Sequence, residues 1–245
     1  MHGVTSPAVV RRPRAFVGVS GPDAADYLQR MISNDVEALE KGESCDALLL
    51  TAKARVIAPL RVLRRASDDF LVLTEPELGE TVRAELRRMR FAAKAEIEGE
   101  EHESWFVLGG DEVLDERPPG REVDTDEYER WRIEAGIPSW GREIDDRVLP
   151  AEAGLDETHI SFTKGCYPGQ EPIARQRYRG KVNRKLRVLE LEGDAPSGTE
   201  LRYEGKTVGR ITSSVPGVAL AYVRTEVPDD AQLELAGKAG FARLR

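Results

Sequence analysis

A chain of 245 residues with 40% hydrophobic and 33% charged residues can bury one or two cores and has the composition of a globular protein, not a disordered one. Its net charge of −8 argues against nucleic acid as a partner of the whole surface, and no window approaches the roughly 20 apolar residues of a membrane helix. Two cysteines (Cys45, Cys166) and three histidines without ligand spacing (His2, His102, His159) predict neither a disulfide framework nor an intrinsic metal centre.

Met1 to Arg14 contains no apolar signal-peptide core, so the expected location is cytoplasmic. Ala15–Ser20 reads as a strand, after which Gly21-Pro22-Asp23 opens a helix whose apolar stripe is Tyr27, Leu28, Met31 and Ile32. Cys45–Leu50 and Arg55–Leu63 read as a strand pair joined around Thr51-Ala52-Lys53-Ala54, with Cys45 as core, and Phe70–Thr74 as a further strand. Leu78, Val82, Leu86 and Met89 predict a helix over Glu75–Met89, and Lys94–Ile97 and Trp105–Leu108 read as strands. The acidic stretch Asp111–Glu129 is expected to be a connector with little packing of its own. Tyr128–Gly136 fits a short helix or a strand equally well.

From Arg184 the pattern is short alternating segments: Leu186–Leu191, Glu200–Tyr203, Thr207–Thr212, Val218–Val223, Gln232–Leu235 and Gly240–Leu244, separated by turn residues such as Pro216-Gly217 and Gly237. Six such strands predict a small barrel. The expected division is an α+β body over residues 1–183, built as two interleaved subdomains, and a β-barrel over 184–245.

The segment linking them carries the candidate chemistry. Lys164 to Arg187 holds eight basic residues and one acid, Glu171, so the rest of the chain sums to −15. A reversal of that size draws anions to one place. Within it, Gly165 and Gly169 flank Cys166-Tyr167-Pro168, predicting a tight turn that presents the thiol to solvent and lets a ligand approach. The plain alternative is a small buried cysteine. A Cys166–His159 pair is a weaker candidate, because Asp156-Glu157-Thr158 before His159 reads as a cap or loop. Glu171 can pair with Arg175, and Arg175, Arg177 and Arg179 would share one face if extended.

Lys164-Gly165-Cys166-Tyr167-x-Gly169-Gln170-Glu171-x-x-Ala174-Arg175, followed by Arg179-Gly180, resembles the signature of the YgfZ family of folate-binding proteins, which is related to the T-protein (aminomethyltransferase) of the glycine cleavage system. Three further stretches resemble blocks shared with T-proteins. They are Gly21–Gln29 with Ser33-Asn34-Asp35-Val36, Arg132–Pro138 with Gly141 and Leu149–Leu155, and Val208–Ser213. The resemblance implies an α+β, T-protein-like ring of subdomains around a central pocket for tetrahydrofolate, ending in a small antiparallel β-barrel. It implies that Glu134 anchors the pterin, with Asn34, Asp35 and Arg132 as further cofactor-binding residues. A carboxylate can accept two hydrogen bonds from the pterin's N–H and amino groups at once.

One departure bears on activity. T-proteins carry paired aspartates where this chain has Ala58 and Pro59, which argues against aminomethyl transfer. The resemblance implies a folate-dependent accessory protein for iron–sulfur enzymes, with Cys166 as its functional thiol and with client or assembly proteins as partners. A one-carbon transferase or demethylase acting on another substrate is the alternative. An RNA-contacting module using the basic loop ranks last, since the aromatic platforms of single-strand binding are missing from the sequence.

Overall fold

A computed structural model describes residues 6–245; His2 lies outside the described residues. These residues divide into two units, one running to Glu122 and resuming over Leu155–Arg179, the other comprising Val123–Gly154 and Gly180–Arg245. The unit that holds the barrel thus also takes in Val123–Gly154, on the far side of the boundary expected at 183/184.

The first unit opens with β1 (Ala8–Arg11), β2 (Ala15–Ser20) and α1 (Ala24–Met31), and continues through β3 (Ser44–Leu50), β4 (Val56–Ala66) and β5 (Asp69–Thr74). A single 3₁₀ turn, Pro76–Leu78, then leads into α2 (Gly79–Met89). Proline fits there because the first turn has no use for its missing amide hydrogen. β6 (Glu96–Glu100), β7 (Ser104–Val107), β8 (Glu112–Leu114) and β9 (Arg121–Glu122) complete the strands of this unit.

One sheet runs β3-β4-β5-β2-β6 and a second runs β8-β7-β1-β9. Val17, Val19, Leu48, Val56, Val62, Phe70 and Val72 are all but fully buried in the first sheet, and α1 and α2 lie against it. The Tyr27 hydroxyl of α1 donates to the Leu86 carbonyl of α2 at 2.5 Å. Burial of apolar area on this scale drives the assembly.

Asp111–Glu129 differs from the expected connector. It supplies β8 and β9, and it begins α3 (Thr125–Glu134). Far from lacking packing, it contributes Glu112, whose side chain is 3% exposed and takes a bidentate bond from Arg14 at 2.8 and 3.0 Å. Burial alone would raise the Glu112 carboxyl, but Arg14 wins and holds it below the usual carboxylate range.

The second unit starts with α3, capped by Asp124, whose carboxylate accepts the Glu127 amide at 2.8 Å. Gly136, at φ +72°, ends it. After the first unit's α4 (Gln170–Arg179) come β10 (Arg184–Glu192), β11 (Glu200–Tyr203), β12 (Lys206–Val215), β13 (Val218–Arg224), β14 (Gln232–Leu235) and β15 (Phe241–Leu244). These six close as β10-β13-β12-β11-β14-β15, the antiparallel barrel expected from the alternation. Leu189, Leu201, Ile211, Leu233 and Ala242 fill its interior, while Val218 and Leu220 turn outward onto Ile133 of α3.

Candidate functional site

In the first unit the Lys164–Glu171 motif is held at two points on either side of Cys166. Lys164 is buried, and its ammonium donates to the Ile32 carbonyl at 2.8 Å and the Asn34 carbonyl at 2.6 Å, just past the end of α1. A cation there satisfies two carbonyls of the loop that leaves the helix, close to its negative end. The ammonium also stands 5.5 Å from the centre of the Tyr167 ring. Burial brings Lys164 down to about 8, against the opposing pull of Asp35 and other nearby negative groups. The second anchor is Gly169, at φ +85°. A Cβ on it would fall 2.7 Å from the Thr51 carbonyl oxygen and 3.1 Å from the Ala54 Cα, so only glycine seats this loop on the β3–β4 turn. Ala54 itself adopts φ +58°, the left-handed region glycine favours.

Between these anchors Gly165 and Cys166 are exposed. A Cβ on Gly165 would meet nothing within 4 Å. Among the described residues Cys166 has no histidine partner; the His159 ring pairs with Thr158 Oγ1 at 2.7 Å, and burial lowers its pKa. Cys45 is partly buried and its thiol is pushed up to about 11 by burial, with Asp46 adding to the shift.

The arginine run is helical, so its three arginines do not share the one face that an extended chain would give them. Gln170 to Arg179 form α4, with Ile173 buried and Pro172 in its first turn. At 100° per residue Arg175 and Arg179 share a face, and Arg177 turns away to stack on the Phe162 ring at 3.9 Å. Gly180 is exposed, just past the helix.

Asn34 and Asp35 come next to the motif, but as loop staples. The Asn34 amide nitrogen donates to the Asp46 and Thr158 carbonyls at 2.7 and 3.2 Å. Asp35 accepts from Gln29 Nε2 at 2.9 Å and from the Ala38 amide. Ser33, fully buried, ties the same corner by donating to the His159 carbonyl and accepting the Leu48 amide.

In the second unit the other two motif blocks converge. Arg132 is 2% exposed, and its five N–H groups go to Glu129 twice, Ile137 O, Glu143 and Ser213, at 2.6 to 3.0 Å. None is left for a ligand, so a direct contact between Arg132 and folate is not available in this arrangement. Glu143, 1% exposed, also accepts the Ser139 amide and the Ser213 hydroxyl. Sequence reading missed Glu143; only its closeness to the Arg132 block hinted at it.

Glu134, two residues on, points the other way. It is exposed, and Arg130 reaches it at 3.3 Å. Both line an open cleft of about 320 Å³ with Pro216, Val218, Phe241 and Arg243. That volume is at the small end for ligand sites. Because exposed pairs of this kind are worth about 0–1 kcal/mol, the carboxylate can re-pair on a ligand at little cost.

At the T-proteins' paired-aspartate positions, Ala58 is fully buried in β4 opposite Leu49, and Pro59 stands opposite Leu48. No carboxylate stands at either position. Among the described residues no group of three or more histidines, cysteines and carboxylates is arranged to hold a metal ion, and no helix is long and apolar enough to cross a membrane.

The fold is that of a T-protein. The chain matches the glycine cleavage system aminomethyltransferase from Bartonella henselae with a TM-score of 0.83 and 18% identity, covering 97% of this chain and 84% of that one. Residues 183–244 match the family described as the CAF17 C-terminal beta-barrel domain. Within this class the chain is similar to YgfZ and IBA57 proteins, in agreement with the resemblance carried by its cysteine motif. It is 29% identical to the tRNA-modifying protein YgfZ of Edwardsiella ictaluri, over 69% of this chain and 66% of that protein. It is 27% identical to a mitochondrial iron–sulfur cluster assembly factor IBA57 homolog of Pyricularia oryzae, over 91% of this chain and 72% of that protein. An aminomethyltransferase of Nostoc sp. is 29% identical, but the chain spans only 54% of its length.

Proposed function

We propose that this chain is a cytoplasmic, tetrahydrofolate-binding accessory protein that supports the assembly, repair or activity of iron–sulfur enzymes, with Cys166 as its functional thiol. The observation that carries the reading is the mounting of Cys166. It is exposed on a loop fixed by a buried lysine on one side and a sterically required glycine on the other. Such a mounting offers a sulfur to an incoming group and keeps its position defined. The names of the IBA57 and YgfZ relatives support the same reading. One thiol supplies only part of a cluster's ligand set, so a client or assembly protein, a second chain or a small thiol completes it.

Glu134 fits the pterin: an exposed carboxylate, lightly paired, on the wall of a cleft. Folate, when bound, is a carrier of one-carbon units. Arg132 supports that site by position, bracing the end of α3 from which Glu134 projects, while Asn34 and Asp35 brace the cysteine loop. Ala58 and Pro59 weigh against aminomethyl transfer.

The test is complementation of a deletion strain. Wild type is expected to restore iron–sulfur enzyme activity and Cys166→Ser is not; full restoration by Cys166→Ser would remove the thiol from the function.

A further inference from the structure

Among the described residues most arginines are tied to a carboxylate or a carbonyl, as Arg14 is to Glu112, Arg65 to Glu100 and Arg184 to Glu152. Helix α4 breaks that habit. Among the described residues Arg175 and Arg179 enter no hydrogen bond or ion pair, and both are exposed. Glu171, Arg175, Tyr178 and Arg179 follow the i, i+4, i+7, i+8 spacing of one helical stripe, opposite the buried Ile173. Tyr178 on that stripe is 73% exposed, and among the described residues only Phe91 is a more exposed large hydrophobic side chain. Arginine and tyrosine, rigid or planar and able to bury area, are the residue types that dominate interface hot spots. The stripe begins just beyond the loop that exposes Cys166.

We infer that the outer stripe of α4 is the docking face for an acidic protein surface, which it holds beside Cys166. The inference rests on the accessory role proposed above. Charge complementarity selects the partner. The stripe and its segment are basic in a protein whose remaining charge is −15. RNA has the right sign but the wrong extent. The three guanidinium groups of α4 could neutralise about three phosphates, whereas nucleic-acid affinity grows with each phosphate neutralised. Where the rest of a long polyanion ran within a Debye length, about 8 Å, of the acidic remainder, like charge would repel it. A folded acidic partner presents a compact patch, buries Tyr178, and leaves the arginines to steer encounter.

The probe is labelled short-chain poly-L-glutamate, read by fluorescence anisotropy on the full chain, with single-stranded RNA of equal charge in parallel. Wild type is expected to bind poly-L-glutamate more tightly as salt falls. Arg175→Glu with Arg179→Glu weakens that binding by about tenfold or more, as close charge pairs at interfaces do. Tyr178→Ala weakens it several-fold, and Arg202→Glu, an exposed arginine of β11, leaves it unchanged. Tighter binding of RNA than of poly-L-glutamate, no binding of poly-L-glutamate, or equal binding by wild type and the reversal variant would overturn the inference. Complementation separates this from the proposed function. A reversal variant that restores iron–sulfur enzyme activity as wild type does overturns the docking face and leaves the accessory role standing. Selective loss of poly-L-glutamate binding with a wild type that fails to complement upholds the face and overturns the role.

Discussion

Replacing Gly169 by alanine sets a Cβ 2.7 Å from the Thr51 carbonyl oxygen and 3.1–3.2 Å from Ala54 backbone atoms, at a backbone φ of +85°. The obstructing atoms belong to a turn that is itself in the left-handed region at Ala54, so they cannot swing aside as a side chain would. Left-handed backbone costs a non-glycine residue about 1–2 kcal/mol, and overpacking a tight contact costs about 1–3 kcal/mol. Loss of unfolded-state freedom returns about 0.4–1 kcal/mol. Gly169→Ala should therefore destabilise by about 2–4 kcal/mol. Gly165→Ala, with no atom within 4 Å of the new Cβ, should stay within about 0.5 kcal/mol of wild type. Scanning calorimetry of the three proteins measures both, and the rate of Cys166 alkylation reports whether the loop still presents its thiol. A Gly169→Ala protein as stable as wild type, or a Gly165→Ala protein equally damaged, would refute the picture of a loop seated on the β3–β4 turn.

Arg132→Met removes the cation from Glu143, whose side chain is fully buried, and should cost about 3–5 kcal/mol in denaturant unfolding. Arg132→Met with Glu143→Met should recover much of that loss; a single variant within 1 kcal/mol of wild type would contradict the network. His102 contacts Asp115 at 2.7 Å and Glu100 at 3.0 Å, and its ring meets Phe16 edge-on. Burial alone would lower its pKa, but those carboxylates win and raise it. The stabilisation it brings is therefore complete below its unfolded value of about 6.5 and is lost as pH rises through the higher folded value. Between pH 6 and 8 wild type should lose more stability than His102→Gln in urea titrations; identical pH profiles would remove the clamp.

The parts of the fold legible in the sequence were those whose signal is periodic and sustained. Glu200–Tyr203 and Gln232–Leu235 are strands with the bounds read from alternation, because each barrel strand buries one face. β8 and β9 were not legible: at three and two residues they are too short for a period, and pairing with neighbours creates them. Helix α4 was left open because glycine and proline crowd its start and Ile173 alone is fully buried on it. For α3 the signal existed in Asp124 and Glu127, a cap and its partner three residues on, but its buried side carries Arg132 and hid the apolar stripe. Lys164, Cys166 and Gly169 stood out in sequence. Their partners did not, because the carbonyls of Ile32, Asn34 and Thr51 leave no side-chain signature.

Folate binding at Glu134 is read out by calorimetric titration of tetrahydrofolate into the full chain and into Glu134→Ala. Wild type is expected to bind saturably, with affinity falling about tenfold or more in the variant, the loss of a charge-assisted pair of about 1.5–3 kcal/mol. A folded wild type that binds no folate, or a Glu134→Ala protein that binds it as tightly as wild type, would contradict that expectation.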